Sequence, residues 1–286
     1  MEMAKDYNFD RYSTKRVSFV MQTKNHAQFL ERAFAGIRKF KGSEDELIVV
    51  DGASSDNTRD IIEKNSGMVD VFISEPDLSG NHAQNKGMLL ARGRYIKYLG
   101  DDDVFHADAM ASAIQVMDEH PEIDILLCGG TKEKNGVIKL SWVPPGVNYG
   151  KSTEDVVRYG GASGTGQIIR RAVLARLGTL APVNHWNADV AFVLEAVRKG
   201  ACVRFCRINL FHHPIFGHSI IQKYHLEHVA DTRGLVREYC GHAFYMKYRI
   251  RDSVLARMAS YWFLKFRAGT GRGLINEESL WDGGFS

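Results

Sequence analysis

Arg94-Tyr95-Ile96-Lys97-Tyr98-Leu99-Gly100-Asp101-Asp102-Asp103 has the form of a strand that ends in three carboxylates. Alternating Tyr, Ile, Tyr and Leu after the turn signal of Gly93 gives the period and composition of a strand entering a sheet. Adjacent anions repel, and ionised carboxylates at the end of a buried strand are costly unless a cation or hydrogen-bond donors offset them. A divalent cation is one such partner. Hard oxygen ligands select Mg2+ or Mn2+, held by one or two carboxylates while substrate phosphates complete the shell. A solvated acidic turn or a helix N-terminus is the competing reading of the triplet alone.

Upstream, Val17-Ser18-Phe19-Val20-Met21 suits a central strand and runs into the polar turn Gln22-Thr23-Lys24-Asn25. Leu30, Ala33, Phe34 and Ile37 recur at the spacing of one helical face. A second strand, Glu46 to Val50, leads into Asp51-Gly52-Ala53-Ser54-Ser55-Asp56-Asn57-Thr58, which supplies a tight turn and N-cap candidates for a helix over 58–64. A third strand over 69–74 is followed by the loop 75–81 and a helix over 82–91. Strand and helix therefore alternate, which implies a parallel sheet with right-handed crossovers and a ligand beyond the carboxyl ends of its strands. The loops headed by Thr23, Asp51 and Asp77 then emerge on the same sheet edge as the acidic triplet.

Downstream, Met110, Ala113, Ile114 and Met117 mark another helix, and Ile123 to Cys128 another strand. Asn135-Gly136 between 131–134 and 137–140 is a hairpin signal that adds antiparallel strands. Ser152-Thr153-Glu154-Asp155 has the form of a capping box, and Gly160 to Gly166 reads as a mobile loop beside an acceptor site, without the spacing of a phosphate cradle. Val190, Val193, Leu194 and Val197 define a helix ending at Gly200, with Asp189 in its first turn. Cys202 to Ile208 alternates as a strand. Cys202 and Cys206 with His212, His213 and His218 raise a zinc reading, but two cysteines four apart on a strand splay, so buried thiols are preferred.

The chain of 286 residues is 44% hydrophobic and 25% charged, enough for one large domain or two smaller ones. Met1 to Arg16 lack the apolar segment of a secretory signal, and no apolar run reaches spanning length, so a cytoplasmic location with reduced cysteines is expected. A net charge of +3 is too small to imply nucleic-acid binding. From Lys247 to Arg272 seven basic residues face one acid, Asp252, and Leu255, Met258, Ala259, Trp262 and Phe266 form an apolar stripe. Such a stripe either packs on its own domain or makes peripheral contact with the inner face of a membrane.

Taken together, Val17 to Asn25, Ile48 to Thr58, Ser74-Glu75-Pro76-Asp77, Asn85-Lys86-Gly87 and Tyr98 to Asp103 resemble, in order and spacing, a family 2 glycosyltransferase of the GT-A fold. The resemblance covers roughly 16–130, with a weaker match from Gly166-Gln167-Ile168-Ile169-Arg170-Arg171 to Asp189 that extends it to about 220. It implies a Rossmann-like mixed α/β sheet flanked by helices. The expected plan is a polar lead over 1–15, a catalytic domain over 16–220 and a helical extension over 221–286. Within the domain, 16–130 would bind the donor and 131–220 form the acceptor side. Nucleotide-sugar contacts are implied at Thr23, Asn25, Asp51, Ser54, Asp77, Asn85, Lys86 and Asp101, and metal ligation by Mn2+ or Mg2+ at Asp102 with Asp103. Asp101 and Asp103 also fit a literal Asp-x-Asp, so the register within the triplet stays open.

Asp189 corresponds to the family's catalytic base, although Ala188 stands where a second acid is common, and Gln22 stands where proline is common. His185 and Trp186 precede it as acceptor candidates. The implied reaction is inverting transfer from a nucleotide-sugar, UDP being the commonest choice, to a hydroxyl of a glycan or polyprenyl-linked acceptor in surface polysaccharide synthesis. A nucleotidyltransferase would need a Gly-rich, Arg-containing loop after the first strand, where Gln22-Thr23-Lys24-Asn25 stands. A nucleotide- or glycan-binding module without turnover is the non-enzymatic alternative.

Overall fold

The computed structural model describes residues 13–134, 137–142, 151–159, 164–180, 186–214 and 224–251. The chain begins β1 (Lys15–Thr23), α1 (Ala27–Ile37), β2 (Glu46–Asp51), α2 (Thr58–Lys64), β3 (Val71–Ser74), α3 (Gly80–Leu90) and β4 (Gly93–Gly100). The expected alternation is thus present. Two boundaries move for local reasons. A 3-10 turn over Ser66–Met68 delays β3, and Ser79 caps α3 by accepting from the His82 amide at 3.1 Å, so the helix starts at Gly80. β1, β2, β3 and β4 pair in parallel, with Thr23 opposite Asp51, Asp51 opposite Ser74, and Gln22 opposite Gly100. Their carboxyl ends are therefore level.

Next come β5 (Val104–Phe105), α4 (Ala107–Glu119), β6 (Ile125–Lys134), β7 (Val137–Trp142), α5 (Thr153–Tyr159), β8 (Gln167–Arg170), α6 (Leu174–Leu177), α7 (Ala188–Arg198), β9 (Val203–Pro214) and α8 (His225–Arg251). The strand order is β3-β2-β1-β4-β8-β6-β9-β5, with β7 paired to β6. β8 enters antiparallel between β4 and β6, and β6 pairs parallel with β9. β6 and β7 pair antiparallel, as the hairpin signal implies, and 135–136 lie outside the described residues. Ser152 accepts from the Asp155 amide at 3.1 Å, which sets the start of α5. β9 runs six residues past the expected Ile208 because its second half pairs with β5 and with the end of β6.

Side chains of alternate parity leave each strand on opposite faces. Tyr95 and Leu99 pack with Leu30, Phe34, Met110 and Ile114 from α1 and α4, while Ile96 and Tyr98 pack with Ala83, Met88, Phe192 and Leu194 from α3 and α7. The central strands are thereby covered on both faces, while β3 and β7 carry exposed side chains such as Phe72 and Ile138. α8 is two helical runs that meet at Gly241, where φ is 76°. No helix among the described residues is long and apolar enough to cross a membrane. The stripe from Leu255 lies outside those residues.

Candidate active site

The level strand ends bring the polar loops together. Asp51 is fully buried and accepts from the Ser54 amide at 3.1 Å, from both the Ser54 and Ser74 hydroxyls, and from Arg59 at 3.4 Å. A Cβ at Gly52 would displace the Asp77 carboxylate, which lies 3.8 Å from the Lys24 ammonium. Asn25, at φ 54°, accepts from the Ser55 amide at 2.8 Å, while its own amide donates to the Ser54 hydroxyl at 2.8 Å. The first and second loops are therefore tied to each other. Lys86 pairs with Glu75 at 2.8 Å and donates to the Pro76 carbonyl. Asn85 uses both ends of its amide on the Leu180 backbone, at 2.8 and 2.9 Å, so its contact is with the 178–180 loop.

The triplet is split into three electrostatic situations. His26 donates to Asp101 at 2.9 Å, and that bond, opposed by burial, raises the histidine pKa. His213 donates to Asp103 at 2.5 Å, and Thr165 donates to the other Asp103 oxygen at 3.1 Å. Burial pulls His213 down, but the Asp103 bond and the charges of Asp103 and Asp102 leave its pKa raised. Asp102 has neither kind of partner among the described residues. Burial, then the charges of Asp103 and Asp101, raise its pKa. One ligand atom each from Asp102, Asp103 and His213 lie within 4.8 Å of one another. Two carboxylates and an imidazole this close together suit a divalent cation such as Mn2+ or Mg2+. Gly100 leaves room for the cluster, since a Cβ would collide with Asp103.

Asp189 lies in the first turn of α7. Its carboxylate accepts from the Gly164 amide at 2.7 Å and from the Val190 amide at 2.8 Å. Burial raises its pKa and outweighs those two donors. Gly164 and Gly166 are buried in a 3-10 turn, so this end of the glycine-rich stretch is packed rather than loose; 160–163 lie outside the described residues. Consecutive residues of that turn thus hold Asp189 through Gly164 and Asp103 through Thr165. Trp186 is 41% exposed and stacks on Tyr224 of the α8 approach, with ring centroids 4.7 Å apart. His185 is outside the described residues. Among the described residues, the buried Thr23 hydroxyl and Tyr98 phenol have no hydrogen-bond partner.

Sequence reasoning missed His26, Thr165 and Lys97. Only Lys97 carried a signal, a cation in phase with Tyr95 and Leu99 on a buried strand face. Its ammonium is fully buried, donates to the Thr165 carbonyl at 2.5 Å and lies 4.9 Å from the Phe105 ring. Burial lowers its pKa to about 7, against the opposing charges of Cys128 and Asp103. An unfolded lysine titrates near ~10.4, so between the two values the unfolded chain holds one more proton and stability rises with pH. Urea melts across that range should show a slope of up to about 1.4 kcal/mol per pH unit that Lys97→Met flattens. An unchanged slope in the variant would remove Lys97 as its source. The zinc reading finds no support among the described residues, and His218 lies outside them. Cys206 lies 3.3 Å from Cys128 in the core, and His213 has gone to Asp103.

Comparison with known proteins agrees with this geometry. The fold is that of Staphylococcus aureus TarS, solved with UDP-GlcNAc, at a TM-score of 0.64 with 17% identity over 78% of this chain and 65% of that one. The mannosyltransferase PcManGT of Pyrobaculum calidifontis, solved with GDP-Man and Mn2+, gives 0.59 at 17% identity over 77% and 63%. Poly(ribitol-phosphate) beta-N-acetylglucosaminyltransferase TarP of S. aureus is 32% identical over 102 residues, 34% of this chain and 31% of TarP. The chain thus matches about a third of that relative's length. The sequence model of glycosyl transferase family 2 matches residues 18–178, more than half of the chain. With the GT-A architecture and the strand-end acids in place, that match makes this chain a member of glycosyl transferase family 2.

Proposed function

We propose that the protein is a metal-dependent inverting glycosyltransferase. It moves a sugar from a nucleoside-diphosphate sugar, with UDP the favoured base, to a hydroxyl of a glycan or polyprenyl-linked acceptor during surface polysaccharide synthesis. The observation that carries this reading is the Gly164-Thr165 turn, which joins a base-like carboxylate to the acidic cluster through two hydrogen bonds, at 2.7 and 3.1 Å. A donor anchored at the cluster would present its anomeric carbon beside Asp189.

In this reading Thr23, Asn25, Asp51 and Ser54 line the nucleoside pocket, and Asp101 meets ribose or sugar hydroxyls. Asp77 and Lys86 flank the donor, with Asn85 shaping the wall through Leu180. Asp102, Asp103 and His213 would hold Mn2+ or Mg2+. A bound divalent ion supplies charge stabilisation to the departing diphosphate oxygens. Asp189 takes the acceptor proton as the hydroxyl attacks from the face opposite the leaving group, which inverts the anomeric centre. Trp186 and Tyr224 offer the acceptor ring an aromatic face, and the charge of His228 acts on Asp189 from the same side. Residues 16–130 would serve the donor, and 131–220 with the start of α8 the acceptor. A cytoplasmic site, with peripheral membrane contact through the basic stripe from Leu255, fits a polyprenyl-linked acceptor.

Calorimetry with UDP and GDP, with and without Mn2+, followed by mass spectrometry of a nucleotide-sugar panel, tests the proposal. Mn2+ should tighten diphosphate binding, and at least one donor should turn over. Binding without turnover of any donor, with or without glycan acceptors, would favour the non-catalytic module. Absence of diphosphate binding would overturn both.

A further inference from the structure

β6 and β9 end side by side in parallel, with Thr131 opposite His212 and Lys132 opposite His213. Thr131 bonds His212 at 2.9 Å, and Glu133 bonds the same imidazole at 3.1 Å. Both odd-numbered side chains of β6 therefore turn toward His212, and strand alternation puts Lys132 on the other face. His213 occupies that face, with Asp103 at 2.5 Å. Lys132 is half-buried and makes no hydrogen bond or ion pair with the described residues. The nearby acids are already engaged, Glu133 by His212 and Asp103 by His213 and Thr165.

A half-buried ammonium with no partner among the described residues costs free energy unless an anion shares the site. The anion that belongs here follows from the reaction. In the glycosyltransferase reading a cation held by Asp102, Asp103 and His213 would anchor one side of the diphosphate, and Lys132 stands on the neighbouring strand opposite His213. We propose that Lys132 binds the diphosphate of the donor and neutralises the charge that develops when the sugar leaves. This rests on the glycosyltransferase reading and adds to it a second, protein-borne cation. In the transfer step the anomeric carbon–oxygen bond breaks and its electron pair goes to the diphosphate oxygen. The acceptor oxygen forms the new bond, and its proton passes to Asp189. The diphosphate ends with one more negative charge than it began with, so an ammonium beside it favours the transition state over bound donor.

The test uses the full chain, with UDP and GDP as diphosphate probes and Mn2+ alone as the control. Lys132→Met should weaken diphosphate binding in saturating Mn2+ by roughly 10-fold and lower kcat by at least as much, while Lys132→Arg retains most of both. Mn2+ binding without nucleotide should be unchanged or tighter in Lys132→Met, because a repelling charge has gone. A structural role would instead lower Mn2+ affinity, diphosphate affinity and melting temperature together. Wild-type diphosphate affinity in a folded Lys132→Met, or parallel loss of Mn2+ affinity, would overturn the assignment. If the wild type binds neither diphosphate, the glycosyltransferase reading fails first and this inference with it.

Discussion

Asp189→Asn is expected to lower transfer by about 100- to 10,000-fold, the usual range for loss of a positioned general base. The amide is nearly isosteric and its one oxygen can still accept from the Gly164 amide at the expense of the Val190 bond, so the turn that also holds Asp103 should survive. Diphosphate affinity in Mn2+ should therefore stay near wild type. The pH profile gives an independent check. A base acts only when deprotonated, so activity falls on the acid side as pH drops through its pKa. Burial sets that pKa above the usual carboxylate range despite the Gly164 and Val190 amides. The acid limb should lie correspondingly high in the wild type and be absent from any residual activity of the variant. Transfer at the wild-type rate would take Asp189 out of the mechanism.

Asp102→Asn should separate stability from function. Asp101 and Asp103 each bond a histidine, whereas Asp102 has only the more distant charge of His213 in its favour, and burial and then the charges of Asp103 and Asp101 disfavour its ionised form. Removing that charge relieves repulsion, so the melting temperature should hold or rise. Mn2+ affinity should fall at least about 100-fold, since loss of outer partners of a metal ligand alone costs about 10- to 100-fold. Transfer should fall with it. Stability held at the expense of the site is the pattern expected where strain serves function. Unchanged Mn2+ affinity would place the ion elsewhere.

The alternating strands and helices of the first half, the hairpin and the acidic strand end were legible because each has a local cause. Hydrophobic period, cap residues and turn chemistry act over a few residues, and they fixed β1 to β4 with their helices to within two residues. β5 was not legible. Two residues, Val104 and Phe105, carry no period, and they form a strand only because β9 lies beside them. The length of β9 was hidden for the same reason. The glycine-rich stretch read as loose because glycine permits many conformations, yet Gly164 and Gly166 are packed against Asp189, Tyr98 and the Cys128 carbonyl.

The sequence by itself determined that carboxylates would gather at one rim of a parallel sheet, since parallel strands with right-handed crossovers leave their carboxyl ends on one edge. Only the tertiary structure decided how those charges are shared. His26 reaches Asp101 across 75 residues and His213 reaches Asp103 across 110, and Lys97 and Lys132 take their places from strand register. No local pattern encodes such pairings. Coulomb and hydrogen-bond terms depend on separation in space, and in this chain that separation is set by which strands lie side by side.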